Sequence, residues 1–199
     1  MMSKENRRVK ITKMLLNDSF LRLLEKKPLA RVTVKDICED ADLNRSTYYK
    51  YYADPYDQMS KLEINIIEEM YSNIELSKDI SQNNYSNLYP IIKQLLEYIQ
   101  AKKDMFRILL SNNGDISLQK DILTIFAEKL LPSDFKMTSE YSTLLQEFIF
   151  ISNGSFGMIY YWLMTDKNES VEELAKHISS FIETFLQARN IKKDSKNTF

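Results

Sequence analysis

The sequence predicts an all-α fold, on three observations. Helix breakers are scarce: 3 Gly and 4 Pro in 199 residues are too few for a loop-rich or β-rich chain. Apolar residues recur three and four apart through most of the chain, the spacing that lines one face of a helix. Residues with capping chemistry, Thr33, Asn44 and Asp54, stand where periodic runs begin.

The first helix is expected over about residues 5–27, carried by Ile11, Leu15, Phe20, Leu23 and Leu24, with Pro28 stopping it. Thr33-Val34-Lys35-Asp36 reads as a capping box with Asp in place of the usual Glu. It should open a short helix that turns Ile37 and Cys38 inward. Asp42 then suits a tight turn, because Asp tolerates left-handed backbone angles. Asn44 should cap a second short helix, Arg45 to Tyr52, and Asp54-Pro55 restarts the chain as an N-cap followed by Pro at the first helical position. The next helix runs to about Leu76 with Met59, Leu62, Ile66, Met70 and Ile74 on one face.

Residues 78–88 are polar and read as the main linker. Beyond them, helices are expected over 88–101, 104–110, from about 116 to 131, 139–164 and 171–188, with a loop at 111–115 and a break at Pro132. The last helix carries Leu174, Ile178, Phe181 and Phe185 at spacings of four, three and four. The domain division that follows is 1–54, 55–190 and a polar, frayed tail, 191–199.

Hydrophobic residues make up 44% and charged residues 28%, the balance of a soluble globular chain. The net charge is −1 but unevenly spread: residues 1–60 hold 12 Lys+Arg against 9 Asp+Glu, and the remainder 15 against 19. The basic excess is densest at Lys4, Arg7, Arg8, Lys10 and Lys13, a modest footprint for nucleic acid that charge alone does not separate from a solvated helix face. The single cysteine excludes an internal disulfide and fits a reducing cytoplasm. No apolar run approaches the roughly 18–20 residues of a membrane span, and the N-terminus lacks the apolar core of a secretory signal. A cytoplasmic protein is expected.

The two short helices around Asp42, with the first helix behind them, make a helix-turn-helix. Its second helix would enter the major groove and present Arg45, Ser46, Thr47 and Tyr48 to base edges. Arg can hold guanine bidentately, Ser and Thr both donate and accept, and the Thr methyl can touch a thymine methyl. Tyr48 and Tyr52 are four apart and share a face. Tyr52 suits the core, whereas Tyr49 and Tyr51 point elsewhere, with Tyr49 free to reach phosphate.

The run VTVKDICEDADLNRSTYYKYYADPYDQM (Val32–Met59) resembles the DNA-binding signature of TetR-family (TetR/AcrR-type) regulators almost position for position, over about a quarter of the chain. The resemblance implies a three-helix DNA-binding domain followed by a helical regulatory and dimerisation domain. It implies that Thr33 caps and touches phosphate, that Asn44, Arg45, Ser46, Thr47 and Tyr48 face the DNA, that Tyr49 binds phosphate, and that Tyr51 lies near phosphate. Two positions depart from the pattern. Asp42 stands where Gly is common. Pro55 stands where a phosphate-binding Lys is usual, which removes one such interaction or passes it to the helix N-terminus or to Lys50.

In the C-terminal region, Gly154, Ser155 and Gly157 lie among aromatics and would let a partner helix approach, so that two helices from each subunit form a dimer interface. Met105, Phe106, Phe126, Phe148, Tyr160 and Trp162 are candidates to line a cavity for a small apolar effector, though each singly suits an ordinary core. The segment ISNGSFGMIYYWLMTDKNESVEELA (Ile151–Ala175) resembles the matching helix pair of small regulators of the same family from low-GC Gram-positive bacteria. That group includes members with protein partners.

An enzyme would need a chemical constellation. His177 and Cys38 are the lone residues of their kinds and cannot build a zinc site. Three glycines cannot form a phosphate loop, and Glu68-Glu69 and Glu172-Glu173 read as solvated faces. No catalysis, metal or cofactor is expected. The expected function is a sequence-specific regulator, a repressor released from a palindromic operator by an effector, with double-stranded DNA and a second copy of itself as partners. The alternative is a helical module of the same fold that works through a protein partner.

Overall fold

The computed structural model describes residues 4–73, 88–111, 139–165 and 169–196. Every element among them is helical: α1 (Lys4–Lys26), a 3-10 turn (Leu29–Arg31), α2 (Val34–Asp40), α3 (Arg45–Tyr48), α4 (Pro55–Asn73), α5 (Leu88–Ala101), α6 (Lys103–Leu110), α7 (Ser139–Met164) and α8 (Val171–Lys196). The helix expected between 116 and 131, and Ile74, lie outside the described residues. Among the described residues no helix is long and apolar enough to cross a membrane.

The chain divides into two compact units. The first holds the described residues up to Glu69 and those of α6 from Asp104 on. Its core is Leu16, Phe20 and Leu24 of α1, Ile37 and Cys38 of α2, Tyr48 and Tyr52, and Met59, Leu62 and Ile66 of α4. Burying each large aliphatic or aromatic side chain contributes about 1.5–3 kcal/mol. The inward stripe of α1 differs from the expected one: Ile11 and Leu15 are exposed, and the buried residues are Leu16, Ser19, Phe20 and Leu24. The shift lets the Ser19 hydroxyl donate to the Ile37 carbonyl at 3.0 Å, a buried hydrogen bond that an apolar side chain could not make. Arg22 adds an ion pair to Asp40 at 2.6 Å across the same helix pair.

The second unit is built on α5, α7 and α8. Leu88, Ile91, Ile92, Leu95, Leu96 and Ile99 form a single buried stripe of α5 at spacings of three and four. It packs against α8, whose Val171, Leu174, Ala175 and Ile178 are buried. Lys93 reaches across to Glu172 at 3.2 Å. Ser170 and Glu173 form a capping box, each side chain serving the other's backbone N–H at 3.2 and 2.9 Å. The Trp162 indole donates to the Glu169 carbonyl at 2.9 Å, pinning the end of α7 to the start of α8. Helix α8 continues to Lys196, through residues expected to fray.

Candidate nucleic-acid interface

Local chemistry fixes each bend of the N-terminal head. Thr33 caps α2: its hydroxyl accepts from Asp36 N at 3.2 Å, while the Asp36 carboxylate accepts from Thr33 N at 3.0 Å. Lys27 donates to the same carboxylate at 2.7 Å. The Lys27 and Thr33 bonds to the charged form hold the Asp36 pKa down at about 2. Asp42 takes φ 51°, the left-handed region. Its N–H donates to Glu39 O at 3.4 Å and that of Leu43 to Cys38 O at 2.9 Å, the paired bonds of a Schellman stop. A non-glycine residue there costs roughly 1–2 kcal/mol, and Asp is among the few that tolerate it.

Helix α3 is shorter than expected, one turn over Arg45–Tyr48 instead of residues 45–52. Turn bonds continue it: Lys50 N to Thr47 O at 3.3 Å, and Tyr51 N and Tyr52 N to Tyr48 O at 2.9 and 3.1 Å. Asn44 stands at the N-cap position, but its side chain makes no capping bond. Asn44, Arg45, Ser46, Tyr49 and Lys50 are exposed, and Thr47 and Tyr51 are half-buried. Thr33, the cap of α2, is exposed as well.

Tyr48 departs from expectation. It is 0% exposed, and burial, with Asp54 a lesser contributor, pushes its hydroxyl pKa well up. A side chain enclosed in this way cannot reach a base edge. It packs against Tyr52, with ring centroids 5.5 Å apart, and meets Tyr49 edge-on at 5.7 Å. The sequence held the signal, since Tyr48 shares a face with Tyr52. Tyr49, by contrast, is 59% exposed.

Three groups behind α3 have no local signature in the sequence. Gln58 of α4 is fully buried and donates to the Leu16 carbonyl at 3.0 Å and to Asn17 Oδ1 at 3.1 Å. The Tyr52 hydroxyl donates to that same Asn17 oxygen at 3.1 Å. Lys61 donates to Asp57 at 2.8 Å and to the Tyr51 carbonyl at 3.0 Å. α1, α4 and the segment after α3 are thereby tied at their backbones as well as through their side chains.

The start of α4 is closed to an anion. Pro55 has no N–H, and the N–H groups of Tyr56 and Asp57 donate to Asp54 Oδ1 at 2.8 and 2.9 Å. These amides therefore cannot bind the phosphate that a Lys at position 55 would hold.

The candidate effector residues are distributed over both units. Met105 and Phe106 belong to the first unit, half-buried and buried respectively. Tyr160 and Trp162 belong to the second, and Tyr160 is exposed whereas Trp162 is buried and held by its indole. Phe126 and the side chain of Phe148 lie outside the described residues. His177 is exposed and contacts Glu169 at 2.8 Å. Cys38 is buried, which pushes its thiol pKa up. Among the described residues no group of His, Cys, Asp and Glu could hold a metal ion.

Residues 86–184 match a TetR-type family model described as "Transcriptional regulator C-terminal region". Among solved structures, a TetR transcriptional regulator from Streptococcus agalactiae 2603V shares the fold with a TM-score of 0.62, at 17% identity over 89% of this chain and 97% of that one. A second, the dihydroxyacetone kinase operon activator DhaS, is 18% identical over 91% of this chain and 97% of its own, with a TM-score of 0.48. No curated protein matches the chain. The regulator-type C-terminal region, the three-helix head and the shared all-helical fold agree, and the chain belongs to the TetR family of transcriptional regulators.

Proposed function

We propose that the protein is a cytoplasmic homodimer that binds a palindromic DNA operator through its two α3 segments and represses transcription until an effector releases it. The observation that carries this is the sorting of side chains around α3. Tyr48 and Tyr52 are buried and anchor the turn, while Arg45, Ser46, Tyr49 and Lys50 are exposed. In this reading Arg45, Ser46 and Thr47 meet base edges, and Thr33, Asn44, Tyr49, Lys50 and Tyr51 meet the backbone. The DNA-binding domain is residues 1–54, the effector and dimerisation domain 55–190, and the tail 191–199.

The dimer contact is assigned to α7 and α8. Phe150 and Phe181 are 71% and 66% exposed, and Ile149, Tyr160 and Tyr161 are also exposed. A Cβ added at Gly154 or Gly157 would meet nothing within 4 Å, so the α7 surface there is open to a partner helix. The effector is a small apolar molecule, and its binding shifts the population between two arrangements of the DNA heads. The protein needs no cofactor and performs no catalysis.

A second reading, a module of this fold acting through a protein partner, is favoured by one observation: Asp54 already occupies the start of α4, where the family pattern supplies a cation. Selection of bound duplexes from a random DNA library, with binding repeated at two salt concentrations, separates the two. An inverted repeat whose affinity falls as salt rises supports the operator reading. No enriched sequence from folded, dimeric protein favours the protein-partner reading.

A further inference from the structure

We infer that Lys10 and Lys13 of α1 form a phosphate-binding row that extends the DNA contact beyond the helix-turn-helix and supplies the backbone contact that α4 lacks. The inference rests on the DNA-binding reading above.

Residues 10, 13 and 17 are spaced three and four apart, so they form one stripe of α1. Two contacts set this stripe beside the segment that follows α3. Asn17 accepts from the Tyr52 hydroxyl at 3.1 Å, and one turn earlier Lys13 Nζ lies 5.9 Å from the centre of the Tyr51 ring. Lys10 stands a further turn along. Both lysines are exposed, and neither forms an ion pair among the described residues. The Lys13 ammonium therefore stands beside Tyr51, and Lys10 continues the row toward the start of α1.

Three other cations of the first unit are already engaged within it. Lys61 is bound to Asp57 and the Tyr51 carbonyl, Lys27 to Asp36 and Arg22 to Asp40. The start of α4 carries a carboxylate on its N–H groups, so an approaching phosphate meets negative charge there. A phosphate beside Tyr51 instead finds Lys13 within a side chain's length, and the next phosphate along the strand finds Lys10. Such contacts carry no base information.

The test uses the full-length protein, a duplex recovered by the library selection, and binding measured across a range of salt. The variants are Lys10→Gln, Lys13→Gln and the double variant, with Lys176→Gln in α8 as a control for net charge and Lys13→Arg as the conservative replacement. Because the homodimer carries each lysine twice, each single Gln variant is expected to reduce the steepness of log affinity against log salt by about 1.8, twice the value for one phosphate. Affinity at about 0.2 M salt should fall by roughly eighteenfold, the counterion-release factor for two phosphates, one per subunit. The double variant should lose about twice the slope, and the selected sequence should not change. Lys13→Arg and Lys176→Gln should keep the wild-type slope. A double variant with the wild-type slope overturns the inference while leaving the DNA-binding reading intact, as does a change in base preference, which would mean that α3 itself had moved. If the wild-type protein selects no duplex, the DNA-binding reading fails and the row fails with it.

Discussion

Lys61 Nζ donates to the backbone carbonyl of Tyr51 at 3.0 Å, so a side chain of α4 holds the main chain just past the recognition turn. The same ammonium is bound to Asp57 and lies 5.7 Å from the centre of the Tyr52 ring. Lys61→Met keeps the aliphatic stem and removes these polar contacts. A partly exposed hydrogen bond of this kind is worth about 0.5–1 kcal/mol, so urea unfolding should show a loss of that size. DNA affinity should fall with no change in salt slope, because Lys61 positions Tyr51 and neutralises no phosphate. A reduced slope would assign Lys61 to the DNA backbone instead.

Tyr48 and Tyr49 are neighbours with opposite expected behaviour. The Tyr48 hydroxyl is buried without a hydrogen-bond partner among the described residues, and an unsatisfied buried polar group costs about 1–3 kcal/mol. Tyr48→Phe should leave stability unchanged or raise it by up to about 1 kcal/mol, with DNA affinity unaltered. Tyr49→Phe should leave stability alone and weaken binding to all sequences alike. A loss of sequence preference in Tyr48→Phe would show that its hydroxyl reaches a base after all.

Arg45 is exposed at the start of α3, and in the proposed interface it reads a guanine. Arg45→Ala should cost roughly 1–3 kcal/mol of binding and relax preference at one base pair per half-site. The library selection repeated with the variant measures this. A uniform loss over all positions would reassign Arg45 to phosphate.

The Asp36 carboxylate, held at a pKa of about 2 by Lys27 and Thr33, ties acidity to the stability of the head. A depressed carboxylate pKa stabilises the fold above the unfolded value, about 4, and loses that contribution as pH falls toward the folded value. Unfolding followed between about pH 5 and about pH 2 should therefore show the head weakening across that window. Asp36→Asn should be less stable at neutral pH and show a flatter dependence there. An unchanged slope would mean that the capping box contributes little.

Phe181 and Phe150 test the dimer contact. Phe181→Lys combined with Phe150→Lys places charge on both helices at positions where burial across a subunit interface would be strongly unfavourable. Sedimentation should shift from dimer to monomer, while helical content is retained because both side chains are exposed within the subunit. A double variant that remains dimeric would move the interface elsewhere.

The elements that can be read from sequence are those whose cause is local. The capping box at Thr33 and Asp36, the left-handed turn at Asp42 and the Asp54-Pro55 restart each need only a few adjacent residues, and each is present in the structure. α5 is likewise found at its expected bounds, because its apolar stripe is unbroken. The inward face of α1 is not legible in this way, because Ile11 and Leu15 fit the helical period as well as Leu16 does. Ser19 settles the matter only once Ile37, 18 residues away, offers its carbonyl. The Asn17–Gln58 contact spans 41 residues, and nothing near either residue announces the other. Helical periodicity alone carries the recognition helix four residues past its end at Tyr48. The family pattern sets Tyr48 toward the DNA, on the side opposite to the one it takes.

The lone cysteine has a further use. Cys38 sits in the core of the N-terminal head with its thiol pKa raised by burial, so reagents that attack thiolate can reach it only when the head opens. With no second thiol in the chain to confuse the signal, its labelling rate in native buffer is a clock for that opening. Any ligand that grips the closed head slows the clock in proportion to its occupancy.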